Sequence, residues 1–303
     1  MAKRIAEGKL PEASEVLCTS EGQVRRIIFA RPQGDPGISV VIPSLDGWRD
    51  GNVPQLIGQI REQTLDDVEV LLVIGVSPNG RARNVGVRQA RGEYLVCIDD
   101  DVTLGHERVL ENLVQPFQER DDVGMTGASQ QIPPDSNGFQ KSIVQQVPRT
   151  TFPVQDELVD SDMVTHMCLC MPTQLYKDVG WENEEIVSGT DPDLRYRVRE
   201  AGYRVVVVPE TWAYHPVPET PRDFWRQCYR KGRDSARVQR EHPDLVLELD
   251  AGYREEFPAR RSLLYRAARF ALTVGKASLT GKVVLAMARI AYACGYVQGK
   301  CTK

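Results

Sequence analysis

The chain has 303 residues, 41% hydrophobic and 26% charged, with 38 Lys plus Arg against 42 Asp plus Glu. This suits one large globular domain, or a domain with an appendage, and excludes collagen, extended coiled coil and wholesale disorder. No run approaches the roughly 18 apolar residues of a spanning helix, and the charged start MAKRIAEGKLPEASEV does not read as a secretion signal. Seven scattered cysteines without a CxxC pair read as reduced thiols of a cytoplasmic protein, not as a zinc site or disulfide framework. The net charge of −4 hides a split: residues 1–220 hold 21 basic and 34 acidic side chains, and residues 221–303 hold 17 and 8. Residues 259–303 carry 9 Lys or Arg and no Asp or Glu.

The first 37 residues read as a lead segment with one strand-like stretch at 24–30, ending in the loop Pro32-Gln-Gly-Asp-Pro-Gly37. The organised part begins at Ile38-Ser-Val-Val-Ile42, a β-branched run of the kind that forms buried parallel strands. A helix is predicted over 56–63, a second buried strand over 68–74, and a helix over 81–91 with Gly92 as its cap. Tyr94-Leu-Val-Cys-Ile98 is a third strand that runs straight into Asp99-Asp-Asp101. A helix over 106–120 and a strand over 123–128 follow. Such alternation predicts an α/β fold with a mainly parallel sheet, whose ligands bind at the carboxyl ends of the strands. Residues 130–162, rich in Pro, Gln and Asp, read as irregular loop, and a loop this long is usually functional. Strand 163–171, helix 173–179, helix 191–201 capped by Gly202 and strand 203–208 complete the pattern, which turns helical after Pro221.

Three groups could carry chemistry. Asp99, Asp100 and Asp101 leave a buried strand at the mouth of the sheet, an arrangement suited to a hard divalent cation, Mg²⁺ or Mn²⁺, carrying a diphosphate. A charged loop or helix N-cap would use the same residues. Asp191 opens a helix in Gly189-Thr-Asp-Pro-Asp-Leu194, either as a cap or as a general base. His215, in Tyr214-His-Pro216, leaves the last strand.

In chain order, Ile38-Ser-Val-Val-Ile-Pro-Ser44, Ala82-Arg-Asn84-Val-Gly86, Gly92-Glu-Tyr-Leu95, Ile98-Asp-Asp-Asp101, Gly189-x-Asp191-x-Asp193-Leu, Ala201-Gly-Tyr203, Val208-Pro209 and Tyr214-His215 resemble the family-2 glycosyltransferases. The resemblance covers residues 38–218 and implies an inverting enzyme of the GT-A fold, Rossmann-like, with helices flanking the sheet; the helical pattern beyond it adds a C-terminal helical appendage over 219–303. It implies a nucleotide-sugar donor and a saccharide or lipid-linked acceptor. Asp99-x-Asp101 matches the DxD motif, whose first aspartate approaches the donor ribose and whose last binds the metal. Pro43, Ser44, Asp46, Arg83 and Asp100 fall on the donor side, Asp191 is the base, and His215 reaches the metal or the diphosphate.

Two departures stand out. Family members carry aspartates after the second strand that recognise the nucleobase, and this chain has Ile74-Gly-Val-Ser77, leaving Ser77 or Asn79 to substitute. The usual Glu before the base is Thr190, which removes a neighbouring carboxylate from it. Other classes weigh less. Asp99-Asp-Asp-Val-Thr103 fits the DxDx[TV] pattern of haloacid-dehalogenase-type phosphatases, but two strands precede it. A nucleotidyltransferase would need a Gly-rich signature where this chain has Pro43-Ser-Leu-Asp-Gly47. A catalytically degenerate binding protein is the non-enzyme alternative.

Phe224-Trp-Arg-Gln-Cys-Tyr-Arg-Lys-Gly232-Arg resembles an aromatic and basic helix that in this family packs beneath the donor site. Beyond it, Leu263, Ala267, Phe270 and Val274 share one helical face, and Val283, Met287, Ile290, Cys294 and Val297 share another. Arg266, Arg269, Lys282 and Arg289 lie off these stripes. The pair suits packing on protein, or docking on an anionic membrane at the inner face of the cell; nucleic acid fits poorly, because exposed aromatics do not accompany the cations.

Overall fold

The computed structural model describes residues 10–29, 35–187, 189–241 and 262–302. Part of the predicted loop 32–37, the side chains of Leu263 and Arg266, and the start of the basic stretch 259–303 lie outside the described residues. The chain divides into two compact units. The first holds 1–131, 153–186 and 190–215, and the second holds 132–152, 187–189 and 216–303.

The first unit is built on one sheet. Its strands are β1 (Glu15–Cys18), β2 (Gln23–Ile28), β3 (Ile38–Ser44), β4 (Val68–Ile74), β5 (Tyr94–Ile98), β6 (Thr103–Leu104), β7 (Val123–Gln131), β8 (Val159–Asp160), β9 (Cys168–Pro172) and β10 (Arg204–Tyr214). Helices α1 (Asn52–Arg61), α2 (Asn79–Val87), α3 (Val109–Glu119), α5 (Thr173–Asp178) and α6 (Thr190–Glu200) belong to it, while α4 (Gly138–Gln146) belongs to the second unit. The order is β1-β2-β4-β3-β5-β9-β7-β10-β6, with β8 on β10. β3 runs parallel to β4 and β5, and β7 parallel to β10, while β9 is inserted antiparallel between β5 and β7. The carboxyl ends of β3, β4, β5, β7 and β10 therefore share one edge with the amino end of β9.

Burial explains why these runs become strands. Every residue of β3 is buried, as are the first six of β4 and the last four of β5, so both faces of the central sheet are covered. Val40, Ile42, Val70, Leu72, Val96 and Ile98 pack in one core with Val53, Leu56, Ile57 and Ile60 of α1 and Leu110 and Leu113 of α3. On the opposite face of β4 a carboxylate is deeply buried: Glu69 meets Arg26 Nε at 3.1 Å and accepts the Ser39 hydroxyl at 2.6 Å. Arg26 lies in the lead segment, so that segment is no mere leader; its two strands extend the sheet through β2 on β4.

Several element boundaries differ from expectation. The helix predicted over 81–91 ends at Val87, and Gly92 does not cap it. A side chain at Gly92 would run into the backbone of Ser39, so the glycine permits close approach to β3. Residues 130–162 are not structureless: Asn137 and Gln140 form a reciprocal capping box that starts α4. The strand predicted over 163–171 begins only at Cys168.

The second unit contains α4, α7 (Pro221–Glu241), α8 (Leu263–Leu279) and α9 (Val283–Cys301). Ile143 of α4, Phe224 of α7, and Val284 and Ala288 of α9 form its apolar cluster. α7 and α9 approach closely enough for backbones to touch. A Cβ on Gly232 would overlap the carbonyl of Tyr292, and one on Gly295 would overlap the carbonyl of Tyr229. Gly299 faces Arg233 in the same way one turn on. No helix among the described residues is long and apolar enough to cross a membrane. Gly295→Val is expected to destabilise this unit by about 1–3 kcal/mol through overpacking, read as a lower urea midpoint, whereas Gly275→Ala inside α8, where a Cβ meets open space, does not lower the midpoint and raises stability by up to about 1 kcal/mol.

Candidate active site

The site grows from the shared edge of the sheet. The β3 to β5 ladder stops at Val41, two residues before Pro43, which has no N–H to offer. Past that point the chain ends separate, and Asp99, Asp100 and Asp101 follow β5 into the gap. Ser44 closes β3 by donating its hydroxyl to Asp100 at 2.7 Å, and Asn52 holds the turn with bonds to the carbonyls of Asp100 and Val102, both at 2.9 Å. Burial raises the Asp100 carboxyl, against the Ser44 bond and the charge of Arg49.

Each outer aspartate has its own cation. Asp99 meets Arg83 at 2.8 Å. Arg83 is buried on α2, and Asp99 and Glu182 overcome that burial to keep it firmly protonated. Asp101 faces the imidazole of His215 at 3.2 Å and Arg49 at 2.8 Å. Burial pushes Asp101 up, but His215 and Arg49 outweigh it and hold the carboxyl below its ordinary value. His215 reaches this edge because β10 continues to Tyr214, well past the predicted end, and its own backbone N–H is fixed on Gln131 at 2.9 Å.

Asp46 is exposed and accepts the backbone N–H groups of Trp48 and Arg49 at 2.8 and 2.9 Å, so one of its oxygens orders the loop. That loop turns through positive φ at Arg49, Asp50 and Gly51, which aims Arg49 at the aspartates. Pro43 is buried beside Val73, and Ser77 and Asn79 are exposed where β4 gives way to α2.

Asp191 opens α6 but does not stand alone. One of its oxygens accepts the backbone N–H of His166 at 2.7 Å and faces Nδ1 of the same residue at 2.6 Å. Nε2 of His166 lies against Glu182, and both side chains are buried, whereas that of Asp191 is one-third exposed at 33%. Burial would raise Asp191, yet the charge and hydrogen bonds of His166, with Arg195 behind, hold it far below the usual carboxylate range. Burial and Arg83 work against protonation of His166, but Glu182 and Asp191 prevail and raise it to about 9. Asn84, adjacent to Arg83, fixes the Glu182 backbone in both directions at 2.9 and 3.0 Å. Arg195 donates to the Val164 carbonyl, so α6 grips the segment carrying His166 at two points.

The sequence reading thus names Asp99, Asp100, Asp101, Arg83, Ser44 and His215, and the structure brings them to one edge. It misses Arg49, Glu182 and His166. The one available signal for His166 is its position, the single histidine within the mostly apolar stretch 163–171.

The sequence profile described as glycosyltransferase like family 2 matches residues 36–234. The chain belongs to the family 2 glycosyltransferases. Among solved structures, the mannosyltransferase PcManGT from Pyrobaculum calidifontis, in complex with GDP-Man and Mn²⁺, is similar with a TM-score of 0.56 and 14% identity over 88% of each chain. TarS from S. aureus is similar with a TM-score of 0.43 and 15% identity, over 87% of this chain and 54% of that one. GalNAc-T7 with UDP, GalNAc and Mn²⁺ gives 0.47 and 12%, over 72% and 53%. Curated proteins offer no significant match by sequence. The fold of this glycosyltransferase is GT-A, a Rossmann-like α/β core with C-terminal helices. Membership of the family sets aside the phosphatase reading of Asp99 to Thr103.

The protonated His166 contributes stability that is fully present below about pH 6.5 and is lost as pH rises through about 9. The depressed carboxylates Asp191 and Glu182 act oppositely, losing their contribution on acidification. The urea midpoint is expected to fall between about pH 6.5 and about 9, and His166→Gln to flatten that fall.

Proposed function

We propose that this family 2 glycosyltransferase transfers a sugar, with inversion, from a nucleoside diphosphate sugar to a hydroxyl of a glycan or lipid-linked saccharide. The observation carrying the reading is the convergence of the two halves such a reaction needs. The Asp99 to Asp101 turn with His215 forms one, and Asp191 at the first turn of α6 forms the other, joined through Arg83.

Asp101 and His215 are the residues that would hold a divalent cation, Mg²⁺ or Mn²⁺. A carboxylate and an imidazole already 3.2 Å apart are a donor pair such a cation accepts, and diphosphate and water oxygens complete sets of this kind. No group of three or more His, Cys, Asp or Glu suited to a metal exists among the described residues, so the diphosphate would supply a share of the ligands. When bound, the cation offsets charge on the departing diphosphate. Mn²⁺ in the complex of the structurally similar mannosyltransferase supports this.

The chain's own residues do the rest. Asp99 and Ser44 meet the ribose side of the donor, with Pro43 walling the nucleotide and Asp46 shaping the loop beside it. Asp100 is held by Ser44 and Asn52, which keeps the flanking aspartates in place. Asp191 takes the proton of the acceptor hydroxyl as its oxygen attacks the anomeric carbon. Asp191→Asn is expected to lower transfer by roughly 1,000-fold while still binding donor. Asp101→Ala is expected to remove the thermal stabilisation that nucleotide plus Mn²⁺ confers on the wild type. A thermal-shift panel of nucleotides and nucleotide sugars, followed by an assay of sugar transfer, measures both; full turnover by Asp191→Asn would remove it as base.

The partner that fits α8 is an anionic membrane surface, at the cytoplasmic face. Phe270, Val274 and Ala277 lie on its less exposed side, but a second apolar row points outward, with Leu264 84% exposed, Leu272 75% and Leu279 90%. At about 100° per residue, Arg269 and Lys276 flank that row. Leucines beside cations, with no acid in 259–303, suit anionic headgroups over acyl chains. A second copy would set the same cations face to face. The protein is expected to sediment with vesicles containing phosphatidylglycerol and not with pure phosphatidylcholine, and Leu272→Glu with Leu279→Glu to abolish this. Salt-insensitive dimerisation through α8 would assign the face to a second copy instead.

A further inference from the structure

The buried group that the transfer reaction leaves unexplained is His166. It is not at the site by accident of loop placement. β9 enters the sheet antiparallel to β5, with Cys168 beside Ile98, so the residues just before β9 arrive at the edge where Asp99 leaves β5. α6 then meets this segment at two places, through Asp191 on the His166 N–H and through Arg195 on the Val164 carbonyl. Glu182 closes the far side of the ring and is itself tied down by Asn84, which also accepts the Tyr176 hydroxyl at 2.7 Å. The result is a line of three ionisable groups running from a partly exposed carboxylate, through a buried imidazole, to a buried carboxylate.

We propose that His166 is the positioning residue of the base: it clamps one oxygen of Asp191 with its ring and backbone N–H groups, presents the other to the acceptor hydroxyl, and is itself oriented by Glu182. The inference rests on the reading of Asp191 as base. It also accounts for Thr190 standing where the family places a glutamate, because the second carboxylate reaches the base through an imidazole instead. The proton balance is simple. The acceptor O–H bond breaks and its proton goes to the free Asp191 oxygen. The acceptor oxygen bonds the anomeric carbon, and the carbon–oxygen bond to the diphosphate breaks with its electron pair leaving on the diphosphate. His166 keeps its protons throughout, and Asp191 returns its proton to water afterwards.

The charged and titratable groups around His166 are Asp191 and Arg195 on α6, Glu182 before α6, and Arg83 on α2, with Asp99 and Cys97 beyond Arg83 and Tyr176 beyond Glu182. Among these, Glu182 and Asp191 favour the imidazolium and Arg83 opposes it. The imidazolium in turn keeps Asp191 ionised to low pH.

The test is the pH profile of kcat for three variants, each checked for folding by its thermal melt. His166→Gln loses the donor at Nδ1; its kcat is expected to fall about 10- to 100-fold with donor KM unchanged, and its acid limb to move up by about one pH unit or more. His166→Asn keeps a donor near the Nδ1 position without the charge, so it recovers part of kcat while its acid limb stays raised. Glu182→Gln leaves the Asp191 contact but removes the anion behind the ring, so the alkaline limb moves down from about 9. Folded His166 variants with wild-type kcat and an unmoved acid limb would overturn the proposal, as would an unmoved alkaline limb in Glu182→Gln. If Asp191→Asn turns over at full rate, the reading of the base fails first; an inactive Asp191→Asn beside unaffected His166 variants refutes this inference alone.

Discussion

A buried guanidinium organises this protein. Arg83 lies on α2 with almost no exposure, and an arginine cannot shed its proton to escape burial. Carboxylates must therefore come to it, and they come from two directions: Asp99 from the end of β5, and Glu182 from the segment ahead of α6. Asn84, its neighbour in the chain, secures the second of these by backbone hydrogen bonds. One turn of helix thus ties the aspartate turn to the cluster around Asp191, so the two halves of the site cannot drift independently. Breaking such a pair leaves a charge buried without compensation, which costs far more than the intact pair contributes.

The central strands are legible in the sequence because they are buried on both faces. Val68–Ile74 and Tyr94–Ile98 fall where the apolar runs place them, and Asp99 to Asp101 follow as expected. What the runs do not show is direction. The apolar stretch before Thr173 reads as one more strand, and nothing in its composition says that it enters antiparallel and brings His166 to the functional edge. Likewise, α4 rests on a two-residue capping signal and on Ile143 meeting Phe224 and Val284, far away in the chain, so its polar composition reads as loop. The site follows the same division. Residues standing immediately after strands can be placed at the edge from the sequence, while Glu182 and Arg49 are held by loop geometry and long-range contacts that no local pattern carries.

The aspartate turn also illustrates how charge is distributed before any ligand arrives. Arg83 serves Asp99, Arg49 serves Asp101 and lies 3.6 Å from Asp100, and the Ser44 hydroxyl bonds Asp100. Three adjacent carboxylates are tolerated because cations and a hydroxyl from separate elements converge on them, not because the turn is simply open to solvent. The acidic excess of the first 220 residues is therefore not a diffuse field at this point; it is locally balanced and directional.

The contact between α7 and α9 has a consequence of its own. The two helices are joined where Gly232 and Gly295 let backbone meet backbone, with Phe224 packed in one cluster with Val284 and Ala288 and the Tyr296 hydroxyl donating to Gln239 at 2.6 Å. A joint of that kind places few demands on residues elsewhere along the hairpin. The outward row of α8 can change in size and polarity, one substitution at a time, without loosening the pair that carries it. The joint and the outward face of α8 are separable here, and a lineage can alter that face while the scaffold beneath stays the same.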